Sequence, residues 1–268
     1  MVWWDLILRP YLYPVTILYC QHGLESLPKN TLVPGHWVGM VDIAGKPVER
    51  GFITFSPHNP CRRGDRFRYL DRKANAIGLT FYSIIIAHHE QILNWLAAHP
   101  KVDAEKIGFY GISYGGANAM FAPSVLTGYR LSICAANLND WTRMMAGAEN
   151  HGYMYTDDQW EMPYFNMGPT FSHAEMAYLI APRPFMVERG HHDSVGHDCQ
   201  VAIEHAKIRW LYAQLGISER AEIEFFREDI VTTARAPSIF WRNTLGDPLH
   251  RFIRNKDFDL HIFMPQST

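Results

Sequence analysis

The chain has 268 residues, of which 47% are hydrophobic and 19% charged, with a formal net charge of −2. A chain of this size and balance is globular, one large domain or two small ones with a substantial core, and neither disordered nor membrane-embedded. A net charge so near zero gives no field to gather nucleic acid or an anionic membrane surface.

The first segment, Met1 to Cys20, is apolar enough to resemble a leader. It holds Asp5, Arg9 and two prolines, with no basic start and no small-residue cleavage site, so it reads as strand material and not as an export signal. The compartment stays open, cytoplasmic by default. Thr16 to Gln21 is a short apolar strand ending in His22-Gly23. Residues 36–50 suggest a weak helix interrupted by Pro47, and Phe52 to Ser56 the next strand, closed by Pro57 and Pro60. A loop with Arg62, Arg63, Arg66 and Arg68 follows, either facing an acidic substrate or solvated and paired to Asp65 and Asp71.

Ile85, His89, Ile92, Leu93 and Leu96 recur at helical spacing within 81–98. His88 and His89 lie mid-helix and read as packing or capping groups. Residues 106–112 are a strand, 115–126 a helix, and Leu131 to Ala136 another strand. The segment 137–181, rich in Met, Trp, Tyr and Asn, has little periodicity and reads as an irregular lid insertion. Pro184 to Glu188 is a strand, 199–215 a helix ended by Gly216, and Glu222 to Phe226 the last strand. This alternation predicts an α/β fold, a mainly parallel sheet with helices on both faces.

Four cysteines, at 20, 61, 134 and 199, form no Cys-x-x-Cys pair, so disulfides and a structural zinc are not expected. Cys20 and Cys134 fall in apolar runs as small buried hydrophobes. No stretch of about 20 uncharged apolar residues predicts a membrane span.

The chemistry concentrates at the strand ends, where ligands bind in such sheets. Gly111-Ile-Ser-Tyr-Gly115 follows an apolar strand and leads straight into a small-residue helix, the setting a nucleophile elbow requires. Ser113 is the candidate nucleophile, with the backbone N–H groups of Leu24 and Tyr114 as candidate oxyanion donors. Asp193, 80 residues beyond Ser113 and just past a strand, suits the acid of a triad; the plainer reading is a helix N-cap. His191, His192, Asp193, His197 and Asp198 could also be read as a metal cluster, but adjacent histidines on one loop seldom converge on one ion.

Five segments in unbroken order carry a family resemblance: Cys-Gln-His-Gly-Leu-Glu at 20–25, Ser-Pro-His-Asn-Pro at 56–60, Gly-Asp-Arg-Phe-Arg at 64–68, the elbow, and Pro-Arg-Pro-Phe-Met-Val-Glu-Arg-Gly-His-His-Asp at 182–193. Together they resemble the bacterial α/β-hydrolases related to dienelactone hydrolases and acetyl xylan esterases, over roughly residues 17–226. The resemblance implies the α/β-hydrolase fold, no cofactor, and a Ser–Asp–His triad acting on a carboxylic ester or related acyl bond of a small-molecule substrate. Ser113 takes the nucleophile's place, Asp193 the acid's, and Leu24 with Tyr114 the oxyanion donors'.

The pattern departs from that family at both ends. The start looks truncated by a strand, and residues 227–268 form an atypical tail after a hydrolase domain spanning 1–226. The family places its base histidine just past the last strand; here Arg227-Glu228-Asp229-Ile230 stands there, and no histidine occurs between His205 and His250. A shifted reading frame near codon 227 would produce such a tail. Alternatively, His250 folds back as the base, or the pocket binds ligand without catalysis. Among enzymes, a peptidase of the prolyl-oligopeptidase type shares the elbow. The missing closing helix predicts exposed apolar sheet surface and marginal stability.

Overall fold

In the computed structural model the described residues are 5–7, 15–22, 47, 52–57, 65–146, 164, 166–168, 170–193, 196–227 and 240. Their strands are β1 (Asp5–Ile7), β2 (Val15–His22), β3 (Ile53–Ser56), β4 (Val102–Ile112), β5 (Leu131–Ala135), β6 (Phe185–Gly190) and β7 (Ala221–Phe226). They form one sheet in the order β1-β3-β2-β4-β5-β6-β7. All neighbours are parallel except β1, which runs antiparallel to β3 at the edge.

The helices are α1 (Asp65–Ala76), α2 (Phe81–Ala98), α3 (Tyr114–Val125), α4 (Trp141–Ala146), α5 (His173–Tyr178) and α6 (Asp198–Gln214). Among the described residues, no helix is long and apolar enough to cross a membrane. The expected strands and long helices all form, with ends shifted by a few residues; β4 begins earlier, at Val102.

Alternate residues of each strand face opposite sides of the sheet. On one side, Ile107, Phe109, Cys134, Phe185 and Val187 are buried beneath α2, α3 and α6. Burial pushes the Cys134 thiol up to about 12, so it stays a protonated, inert hydrophobe. On the other side, Phe52, Tyr110, Ile112, Leu131, Ile133, Ala135 and Met186 cluster with Phe240. None of these eight is more than 3% exposed, so among the described residues this face is not the bare apolar sheet expected from the sequence. Phe240, from the atypical tail, is part of what covers it.

The arginine segment differs from expectation: Arg66 and Arg68 lie within α1, not in a loop. Asp71 is not solvated either. It is buried, accepts from Asn75 Nδ2 at 3.0 Å, and takes the Phe81 N–H at 2.8 Å, capping the start of α2. Thr80 and Ser83 complete that cap reciprocally. Burial pushes the Asp71 carboxyl up, opposed by the bonds from Phe81 and Asn75. The predicted helix at 36–50 lies outside the described residues apart from Pro47.

Leu138, Trp141, Met144, Tyr164, Met167, Ala174, Ala177 and Ile180 all join the main core beside α3. Much of the described part of 137–181 is therefore core material, with two helices of six residues each. Trp141 stacks on Tyr164 at 4.9 Å, and Tyr82 meets Tyr164 edge-on at 4.9 Å. His173 is buried among them; its Nδ1 accepts the Asn139 N–H at 3.0 Å, and burial drives its pKa down to about 3.

Candidate active site

The register across the sheet fixes where the candidate residues emerge. His22 pairs with Ile112, Ile112 with Ala135, Ala135 with Glu188, and Glu188 with Glu224. These five residues form one row that ends β2, β4 and β5 and lies two residues short of the ends of β6 and β7. Ser113 follows that row by one residue on β4, and Asp193 lies three residues past the end of β6, on the same edge.

Ser113 has φ 57 and ψ −121, a left-handed conformation that a residue with a side chain adopts only under constraint. The constraint is visible on both sides. Its N–H donates to the Ala135 carbonyl at 2.9 Å, continuing the sheet, while its own carbonyl accepts from Ala117 at 3.1 Å, starting α3. A strand bond and a helix bond thus meet in one residue, and the turn between them leaves Ser113 half-buried at the sheet edge.

Two glycines make the turn sterically feasible. A Cβ on Gly111 would lie 1.9 Å from the Gly115 carbonyl oxygen, and one on Gly116 would lie 2.3 Å from the Ala135 carbonyl oxygen. Besides the Gly111 that the sequence points to, Gly116 is crowded, where α3 runs against β5. Every residue of α3 from Tyr114 to Pro123 is buried, so the helix behind the serine is a core element. Its far end is fastened by Arg183, whose guanidinium donates to the carbonyls of Pro123, Leu126, Tyr129 and Ile180.

Tyr114 occupies the first position of α3, immediately after Ser113, and its ring stacks on Tyr82 at 5.9 Å. Leu24 and His250 lie outside the described residues. His22, two residues before Leu24, ends β2 opposite Ile112 and so brings the chain out beside the elbow.

Asp193 is 4% exposed and pairs through Oδ2 with Arg189 Nη1 at 3.1 Å. It does not cap α6; His197 holds that position, with no side-chain cap. His191 faces Asp198, Nδ1 to Oδ2, at 2.5 Å and stacks on Phe225. Burial first raises the Asp198 carboxyl, but the bonds from Arg189 and His191 outweigh it and leave the pKa lowered. Among the described residues, no group of three His, Cys, Asp or Glu side chains gathers where a metal could be held.

His89 is buried with Nδ1 2.9 Å from the Tyr129 hydroxyl, and its pKa falls to about 3, by burial and then by the neighbouring His88. It is a packing histidine, as its helical position suggested.

Comparison with known proteins bears on the fold. Residues 85–208 match the model of the prolyl oligopeptidase family. A Bacteroides fragilis protein assigned as an acetyl xylan esterase superposes with TM-score 0.59 at 16% identity, covering 81% of this chain and 60% of its own. A carbohydrate esterase family 15 glucuronoyl esterase from Caldicellulosiruptor kristjansonii gives 0.64 at 16%, covering 98% and 76%. The acylaminoacyl peptidase of Pyrococcus horikoshii gives 0.57 at 18%, covering 94% and 37%. No curated protein matches the chain. The chain has the α/β-hydrolase fold, and the resemblance carried by its motifs agrees with these neighbours. It spans three-fifths of the length of the Bacteroides fragilis protein.

Proposed function

We propose that this protein is a serine-dependent hydrolase of carboxylic esters. The observation that carries the reading is the conformation of Ser113, φ 57 and ψ −121, held between a strand bond and a helix bond at the carboxyl edge of the sheet. Strained serines at a strand-to-helix turn present Oγ to a carbonyl approaching from above the sheet. Neighbours whose names denote ester hydrolysis support the substrate class.

In this reading Ser113 Oγ attacks the ester carbonyl carbon as its proton passes to the base. The oxygen, now negative, takes hydrogen bonds from the N–H groups of Tyr114 and Leu24, each donor being worth about 3 kcal/mol in the transition state. The carbon–oxygen bond of the leaving alcohol breaks, the base returns the proton to it, and water then releases the acid from the acyl-serine. Asp193 aims the base and offsets the charge it acquires. His250, in the tail that follows the hydrolase domain, is the proposed base.

A second reading, an acyl-peptide hydrolase, draws on the family match over residues 85–208 and on the acylaminoacyl peptidase neighbour. Burst kinetics with p-nitrophenyl acetate test both. An ester hydrolase releases one equivalent of p-nitrophenol rapidly, and Ser113→Ala abolishes the burst. Equal turnover of a matched p-nitroanilide would favour the peptidase, and a burst unchanged in Ser113→Ala would overturn the serine mechanism.

A further inference from the structure

Arg189 occupies a position where an arginine is unexpected. It shares a face of β6 with Phe185 and Val187, and it is 3% exposed. A guanidinium buried there needs partners for its charge and its N–H groups. Nε donates to Asp198 Oδ1 at 2.8 Å, Nη1 pairs with Asp193 Oδ2 at 3.1 Å, and Nη2 donates to the backbone carbonyls of Asp193 at 2.9 Å and Gly196 at 3.0 Å. One planar group thus holds both the carboxylate and the main chain of Asp193.

The loop that carries Asp193 is fastened in two further places. The His191 N–H donates to the Phe226 carbonyl at 2.8 Å, tying its start to β7. Gly196, at φ 79, closes its end against Asn139, whose Nδ2 lies 1.7 Å from where a Cβ would stand. These two anchors place the loop. Of the three, Arg189 also reaches the carboxylate, through Nη1 to Oδ2, while its Nη2 holds the main chain of the same residue.

We infer that Arg189 is a positioning residue for the acyl transfer: it aims Asp193 and supplies its counter-charge, so that the base is steered by a neutral pair and not by a lone carboxylate. This rests on the assignment of Asp193 as the triad acid. Buried ion pairs often add little net stability, so an effect on the reaction separable from folding is the distinguishing mark. Lysine keeps the charge but offers no fork to span side chain and main chain together.

The test is single-turnover acylation by p-nitrophenyl acetate, with thermal melting of every variant. Arg189→Met is expected to slow acylation by roughly 10–100-fold without changing the half-saturating substrate concentration, as misplaced catalytic groups do. In an Asp193→Asn background the same substitution should change the rate by less than about threefold, since nothing is left to aim. Should Arg189→Met not fold, Arg189→Lys, which retains the charge, is expected to slow acylation by about tenfold at unchanged half-saturation. Equal losses in both backgrounds, or a lowered melting point with full acylation below it, would overturn the role of Arg189. If Ser113→Ala abolishes the burst while Asp193→Asn leaves it intact, the serine reading stands and the Arg189 inference falls. If the wild-type burst is absent or survives Ser113→Ala, both fall.

Discussion

The Tyr110 hydroxyl donates to Glu188 Oε2 at 2.8 Å, reaching from β4 to β6 over the intervening strand β5. Both residues are no more than 1% exposed, so this bond ties together the two strands that carry Ser113 and the Asp193 loop. Tyr110→Phe removes a charge-assisted donor from a buried carboxylate and should cost about 1–3 kcal/mol. Urea unfolding reads that loss directly, and a loss well below 0.5 kcal/mol, roughly the floor for a buried hydrogen bond, would show that the bond does not tie β4 to β6.

Relief of strain at the elbow should trade activity for stability. Glycine tolerates φ 57 far better than serine does, so Ser113→Gly is expected to raise stability by roughly 1–2 kcal/mol while abolishing the burst. Gly111→Ala should do the reverse: its methyl meets backbone at 1.9 Å, which forces the turn open. The expected result is a lowered melting point together with lost labelling of Ser113 by a fluorophosphonate. A melting point equal to wild type would contradict the packing described here.

Acid should destabilise the protein well before its carboxylates titrate. His89 and His173 have folded pKa values near 3, against an ordinary value of 6.5. The unfolded chain therefore binds protons that the folded chain refuses, and stability is full above about pH 6.5 and falls as pH drops toward 3. Each such site contributes a slope of roughly 1 kcal/mol per pH unit in that window. Urea midpoints between pH 7 and pH 4 should follow it, and His89→Gln should flatten the slope by about one proton. An unchanged slope in that variant would mean that His89 takes up its proton while folded.

The contribution of the tail can be measured at one residue. Phe240 is 2% exposed and packs with Phe52, Tyr110, Ile133 and Met186. Phe240→Ala should cost about 3–5 kcal/mol and bring binding of a dye that reports apolar surface. The wild-type protein should bind none at neutral pH. Dye binding by the wild type would restore the expectation of a bare sheet.

Strands and long helices were legible because their inner faces are uniformly apolar, as in Phe109, Ile133 and Val187, or in Ile85, Ile92 and Leu96 on α2. The helix α1 was read as a loop because its buried positions include Asp71, whose carboxylate serves α2 and breaks the apolar stripe. The small-residue start of α3 does not single out Gly116, since nothing local to the sequence reveals that the Ala135 carbonyl approaches it. Arg189 stands out in the sequence only as one member of the 182–193 segment. The signal that could have found it is its register with Phe185 and Val187, which buries a cation four residues before an aspartate. The described parts of 137–181 show little periodicity because α4 and α5 are too short to establish one.

Because His22, Ile112 and Ala135 stand level and each ends its strand, the segments departing from β2, β4 and β5 begin at one height, while β6 and β7 run two residues farther. The barrel of the tool is thus separate from its bit. Exchanging what hangs from that rim could retune which acyl group is accepted while the woven layer below keeps its pairing untouched.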